Sequence, residues 1–146
     1  MKILGFNFTK ISIEKKKDRS EEKVEIRTSF DIMEIKEAKA DLLKIPDKII
    51  GVNFSYMIEY GPDLANLEFK GTTLLSLEPE KVEEILKQWK KKEMPEDFRV
   101  NLFNIIFRKV SIRALPLEEE MGLPPHVQLP VLIKQKEQEE KKKNKS

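Results

Sequence analysis

Hydrophobic and polar residues alternate along the first half of the chain and then change to a helical spacing. From Leu4 the alternation runs through Phe6 and Phe8 and resumes one residue out of phase at Ile11 and Ile13. Successive side chains of a strand point to opposite faces, so a slip of one residue requires a β-bulge, here near Thr9 and Lys10. Val24, Ile26, Thr28, Phe30 and Ile32 form a second run with the period of a half-buried strand. Between these runs, residues 14–23 are nearly all charged and read as a solvated connection. The stretch 36–48 is mixed, and Pro46-Asp47 suggests a turn before the next strand.

The strongest local signal is a hairpin. Ile50, Val52, Phe54, Tyr56, Ile58 and Tyr60 alternate with small or polar residues up to Gly61-Pro62-Asp63. Ala65, Leu67, Phe69, Gly71, Thr73 and Leu75 then alternate back. Two such runs joined by a short Gly/Pro/Asp turn predict antiparallel pairing. One face of each strand is apolar and needs a cover, which the next segment supplies. Glu78-Pro79-Glu80 is a favourable helix start. Val82, Ile85, Leu86 and Trp89 follow at three- and four-residue spacing, and Lys90, Lys91 and Lys92 close that helix. A longer helix is predicted from about Phe98, with Leu102, Ile105, Ile106 and Val110 as an apolar stripe beside the basic Lys109 and Arg113. Pro116 should kink or interrupt it. Leu117 to Met121 add a further turn before Gly122 ends it. Three prolines in Leu123–Pro130 then require an extended segment. The tail from Lys134 contains only Lys, Glu, Gln, Asn and Ser and reads as frayed or disordered. The expected architecture is α+β: a four-stranded antiparallel sheet followed by two helices and a Pro-rich extended segment. It forms one domain over residues 1–133, with residues 134–146 as a charged tail.

Composition narrows the possible chemistry. Among 146 residues, 28 are basic and 26 acidic, for a net charge of +2. No basic stripe of the kind that nucleic-acid binding requires stands out. Each of the runs Lys15–Lys17, Lys90–Lys92 and Lys141–Lys143 has acids nearby and no interleaved aromatics, which favours solvated surface over phosphate contact. There is no cysteine and only one histidine, so a structural zinc site is ruled out. The five glycines form no phosphate-cradling loop. No signal-peptide pattern opens the chain, and no apolar run reaches the roughly 20 residues of a membrane span, so a cytoplasmic location is expected. A Lys/Glu-rich, cysteine-free composition is also that of proteins from very hot environments.

Candidate catalytic residues are few. A relay built on His126 would need a partner serine or acid, and no motif surrounds it, so it reads as an ordinary loop residue. Glu118-Glu119-Glu120 looks like a cluster, but consecutive helical residues fan apart and read as a solvated face. An enzyme would have to rest on a carboxylate-centred site that no residue singles out. We therefore expect no catalysis and no cofactor. Area points the other way, toward binding. Two helices cover only one face of a sheet, and Met57 and Leu64 hint at apolar character on the other. An uncovered apolar patch marks self-association or a binding groove.

The C-terminal segment resembles that of the SecB protein-export chaperones, in which a long helix ends at glycine and a Gly-x-x-Pro-x-x-x-Leu-x-Pro-Val segment follows. Gly122-Leu123-Pro124-Pro125-His126-Val127-Gln128-Leu129-Pro130-Val131 is similar, with a one-residue difference in spacing around the last proline. The order of four strands, a shorter helix and a proline before a long helix is similar as well. So is the opening Phe6-x-Phe8-x-x-Ile11-x-Ile13 with its phase shift. The resemblance implies a homotetramer, a dimer of dimers, that holds unfolded polypeptides in hydrophobic grooves without nucleotide. Its partner would be an export ATPase or, in relatives linked to toxin–antitoxin modules, an antitoxin. On the residue pattern, the groove is expected near the helix–segment junction at Leu117, Met121, Leu123, Val127 and Leu129. Packing of those residues onto their own sheet or helix is the competing reading. Three departures stand out: a purely charged 14–23 connection where the family is commonly aromatic, the proline inside the second helix, and the lysine-rich tail. An adaptor or structural protein that uses the same surface for oligomerisation or for one folded partner is the alternative function.

Overall fold

A computed structural model describes residues 1–18, 23–39, 46–132 and 134. Parts of the 14–23 connection and of the 36–48 stretch, and the tail beyond Lys134, lie outside the described residues. The elements are β1 (Lys2–Lys15), β2 (Glu25–Ala38), β3 (Lys48–Gly61), β4 (Ala65–Leu77), α1 (Pro79–Trp89) and α2 (Glu96–Glu120). All four strands join one antiparallel sheet in the order β1-β4-β3-β2, so the predicted α+β architecture holds, with β1 and β2 at the edges.

Register divides the side chains into two sets. Facing the helices are rows such as Phe30–Tyr56–Phe69–Ile11 and Ile32–Phe54–Gly71–Phe8. The opposite face carries Arg27–Glu59–Asn66–Glu14, Asp31–Ser55–Lys70–Lys10 and Glu34–Asn53–Thr72–Asn7. Among the described residues, Ile49, Met57 and Leu74 interrupt that polar surface at paired positions, and the bulge residues Leu4 and Met33 are exposed. Of the two residues expected to give this face apolar character, Met57 lies on it, whereas Leu64 is buried in the core at the β3–β4 turn. Hydrogen bonds and ion pairs among neighbouring polar residues, including Thr72 to Asn53 at 2.7 Å and Lys10 to Glu68 at 3.4 Å, show that this face is built for water. A bulge falls at Thr9, as the phase slip requires. Two others, at Leu4 and Met33, were not expected, although Ile3 to Phe6 and Ile32 to Ile35 carry the same one-residue slip.

Gly71 is a packing necessity. A Cβ there would lie 2.5 Å from the Asn7 carbonyl and 2.7 Å from the Phe54 ring, so β1 reaches β4 only because no side chain intervenes.

Both helices lie on the apolar face. From α1, Val82 and Ile85 are buried. From α2 the buried residues are Phe98, Leu102, Ile106, Val110, Ala114 and Glu118, one every four positions. The helix starts two residues before the expected Phe98, because Glu96 and Asp97 suit the positive end of its dipole and Pro95 ends the preceding loop. Pro116 does not interrupt it. The carbonyl that loses its donor belongs to Ile112, and both residues are exposed, so water can take the place of the missing N–H. At the far end, Gly122 (φ +66) closes a Schellman motif in which the Leu123 N–H bonds the Glu118 carbonyl at 2.8 Å and the Gly122 N–H bonds that of Glu119 at 3.1 Å. The Lys15 ammonium donates to the Met121 carbonyl at 2.8 Å, which ties the end of β1 to the negative end of α2. Among the described residues, no helix is long and apolar enough to cross a membrane.

Candidate functional site

Two neighbouring features of the helix-covered face stand out, an apolar groove and a buried polar network. The groove runs between edge strand β2 and the start of α2. Phe30 and Ile32 form one wall, Val100 and Phe103 the other, and Trp89 and Met94 close one end around a space of about 430 Å³. Phe103 meets Phe30 edge-on with ring centroids 5.4 Å apart. Val100 and Phe103 are exposed large hydrophobics on the outer side of α2, and Ile112 is 66% exposed on the same helix. Charge is confined to the rim: Asp31 on one side, Arg99 and Lys92 on the other, with the Lys92 ammonium 4.5 Å from the centre of the Trp89 ring. β2 is an edge strand whose described pairing is with β3 alone, so its outer main-chain groups border the groove.

The network lies about two to four turns further along α2, at Ser111 and Glu118. Glu118 occupies the last position of the four-residue stripe and is 1% exposed. Its Oε2 accepts a hydrogen bond from the Tyr60 hydroxyl of β3, and its Oε1 lies 2.7 Å from His126 Nδ1. The other ring nitrogen, Nε2, is 3.0 Å from Ser111 Oγ. Burial, together with Glu118 as acceptor, holds the Tyr60 hydroxyl well above the usual tyrosine range. A buried carboxylate is costly unless its oxygens are bonded, and here both are. Two sequence readings are corrected: Glu118 is not on a solvated face, and His126 is a buried anchor rather than an ordinary loop residue. A signal for Glu118 was present in its spacing from Phe98, Leu102, Ile106, Val110 and Ala114. No sequence signal marked His126, since its partners lie on other turns of the chain.

Ser111, His126 and Glu118 follow the order of an acyl-transfer relay. The setting differs. Ser111 sits mid-helix, where main-chain N–H groups are committed to intrahelical bonds and offer no oxyanion site. The groove and the clefts at the β3–β4 turn and at the end of α2 do not include it. Anchoring is what this geometry performs. Among the described residues, no group of three or more His, Asp or Glu is placed to hold a metal ion.

The residues expected at the helix–segment junction are brought near one another but do not line one strip. Leu123 is buried in the core, while Leu117, Met121 and Val127 are half-buried. Leu129 is 49% exposed and, with Leu115, Pro116, Glu119, Leu123 and Pro125, borders a second cleft of about 450 Å³. The groove at Phe30 and Phe103 was not anticipated as a site. Its residues come from β2, α1 and α2, and they read singly as core. A third cleft, at the β3–β4 turn, balances Lys16, Lys23 and Arg27 against Glu25, Glu59 and Asp63.

Sheet order, the two helices and the extended segment define an α+β fold of the SecB-like chaperone type. Among solved structures, the chain is similar to the Mycobacterium tuberculosis SecB-like chaperone Rv1957, determined in complex with a ChAD peptide from the Rv1956 HigA1 antitoxin. The TM-score is 0.52 at 12% identity, over 90% of this chain and 89% of that one. This likeness is one of fold. No protein-family model matches the chain, and no curated protein matches it in sequence.

Proposed function

We propose that this chain is a chaperone-like binding protein, a holdase that takes up extended apolar segments of non-native polypeptides without nucleotide. The observation that carries this reading is the groove: aromatic and aliphatic walls left open to solvent beside an edge strand. An unfolded chain offers two things together, apolar side chains and unpaired main-chain groups. The groove accepts the first and the rim of β2 the second, so a client segment would add a strand to β2 and place alternate side chains against Phe30, Trp89 and Phe103. Binding the unfolded state in preference to the native one is what holds a client soluble, and it consumes no energy source. The peptide bound by the M. tuberculosis neighbour supports this use of the fold.

Self-association accompanies the reading. Ile112, 66% exposed and on the opposite side of α2 from Phe103, offers an apolar contact outside the groove, and a dimer or tetramer built there would place several grooves on one particle.

The test uses reduced, carboxymethylated α-lactalbumin, which stays unfolded in native buffer. The folded protein should bind it and should suppress aggregation of a denatured enzyme at stoichiometric ratio. Phe103→Glu should abolish both while leaving the fold intact. A correctly assembled protein that neither binds nor suppresses overturns the holdase reading. A single co-purifying folded partner, together with that failure, establishes the adaptor alternative.

A further inference from the structure

Beyond Leu123 the chain crosses the end of α2 as an extended segment. Among the described residues, its main chain makes no backbone–backbone hydrogen bond after that of the Leu123 N–H. The contacts that hold it there are made by side chains. Leu123 sits in the core, His126 is plugged between Glu118 and Ser111, and past that point Leu129, Val131 and Leu132 are exposed, Leu132 completely.

What the segment lies on is continuous with the groove. Phe103, a groove wall, stacks on Phe107 with centroids 5.6 Å apart, and Phe107 in turn meets the edge of the His126 ring at 6.2 Å. The aromatic ladder thus runs from Phe30 through Phe103 to Phe107 and stops where the imidazole covers it. We propose that residues 124–132 form a displaceable strap, tethered by the core residue Leu123 and pinned at His126, whose release uncovers the inner end of this ladder and lengthens the groove for a client segment. The proposal rests on the chaperone reading above for the identity of the occupant, an extended apolar polypeptide. That chemistry is the strap's own: an apolar, proline-containing stretch that needs no ladder partner.

A polar pin suits such a device better than an apolar one. With the strap down, His126 completes the coordination of a carboxylate that would otherwise be buried with only the Tyr60 hydroxyl for company. With the strap lifted, the cover over Glu118 is gone and water replaces the imidazole. Half-lifted states leave the carboxylate buried and short of one partner, so they are disfavoured and the strap is two-state. The charged and titratable groups that face His126 and its partners are Glu118 of α2, Tyr60 of β3 and, at the helix end, the Lys15 ammonium of β1.

Two variants of the full chain test this. Ser111→Ala removes one bond to the imidazole and favours the helix. His126→Gln removes the ring. Thermolysin cleavage before Val127, which tracks the population of the lifted form, fluorescence of an apolar dye, and affinity for carboxymethylated α-lactalbumin are measured for each. Loss of one hydrogen bond of ordinary strength shifts the strap equilibrium about fivefold. Cleavage and dye binding should rise by that factor or more in both variants, and affinity for the unfolded protein should rise with them. Cleavage unchanged in both variants overturns the pin. Faster cleavage with dye binding at the wild-type level overturns the cover. Faster cleavage and brighter dye, in a protein that binds no unfolded chain in any form, upholds the strap and removes the chaperone reading instead.

Discussion

The hydroxyl of Tyr60 on β3 donates a hydrogen bond to Glu118 on the last turn of α2, joining a central, deeply buried strand to the end of the longer helix through one carboxylate oxygen. Tyr56, four residues earlier on the same face, is as deeply buried, yet its hydroxyl makes no hydrogen bond of normal geometry, with Thr28 the nearest group to bear on it. Opposite outcomes follow for the same substitution. Tyr60→Phe leaves a buried carboxylate oxygen without its donor and should cost about 1–3 kcal/mol in denaturant unfolding. Tyr56→Phe removes an unsatisfied group and should be neutral or slightly stabilising. Equal losses in the two variants would contradict the pairing.

Alkaline titration reads the same two residues, the only tyrosines in the chain. Burial raises both hydroxyls above their ordinary value. At Tyr60 the Glu118 acceptor adds to the effect, and at Tyr56 burial outweighs the opposing Thr28 hydroxyl. The folded state therefore keeps protons that the unfolded state releases from about pH 10 upward. The corresponding stability is complete below that pH and falls as pH rises through the folded values. Tyrosinate absorbance should appear late and together with loss of circular dichroism. A gradual tyrosinate signal in a still-folded protein would sink this account.

At Gly71 the added methyl of alanine meets the Asn7 main chain and the Phe54 ring at once. One neighbour is backbone and the other is a ring packed against Phe6 and Phe8, so neither yields easily. Gly71→Ala should cost about 1–3 kcal/mol by the usual scale of overpacking, and faster hydrogen exchange should be concentrated in β1. Wild-type stability and exchange in that variant would show that β1 approaches less closely.

Leu123 and Leu129 separate packing from binding at the helix–segment junction. Leu123→Asp places a charge in the core and should destabilise the whole domain by about 3 kcal/mol or more. Leu129→Asp changes an exposed residue and should leave the denaturation midpoint in place. Any loss of client binding in Leu129→Asp is then a direct effect and would extend the contact strip to the second cleft. Unchanged binding would confine it to the Phe30–Phe103 groove and its ladder.

The strands, the hairpin turn, the bulge at Thr9 and the Gly122 stop were legible because each depends on residues close in sequence. Period-two alternation sets which side chains face the helices, and one phase slip places a bulge. The groove was not legible in the same way. Phe30, Trp89 and Phe103 each obey a core pattern locally, and only the lateral offset between α2 and edge strand β2 leaves them open. His126 was hidden for a related reason: its partners Ser111, Glu118 and Tyr60 converge through helix geometry and sheet register, which no local pattern encodes. Of the two residues read as lending the outer face apolar character, Met57 is there, and Leu64 was misplaced because the β3–β4 turn had already ended the alternation.

The hydrophilic back of the sheet has a practical consequence. Because the chain lacks cysteine, a single thiol placed at Asn66, on the outer face of the central strand β4, would be a unique chemical handle away from the groove. A fluorophore or a tether attached there stands behind the working face, so one molecule could be immobilised and watched engaging a client without its attachment point entering the contact.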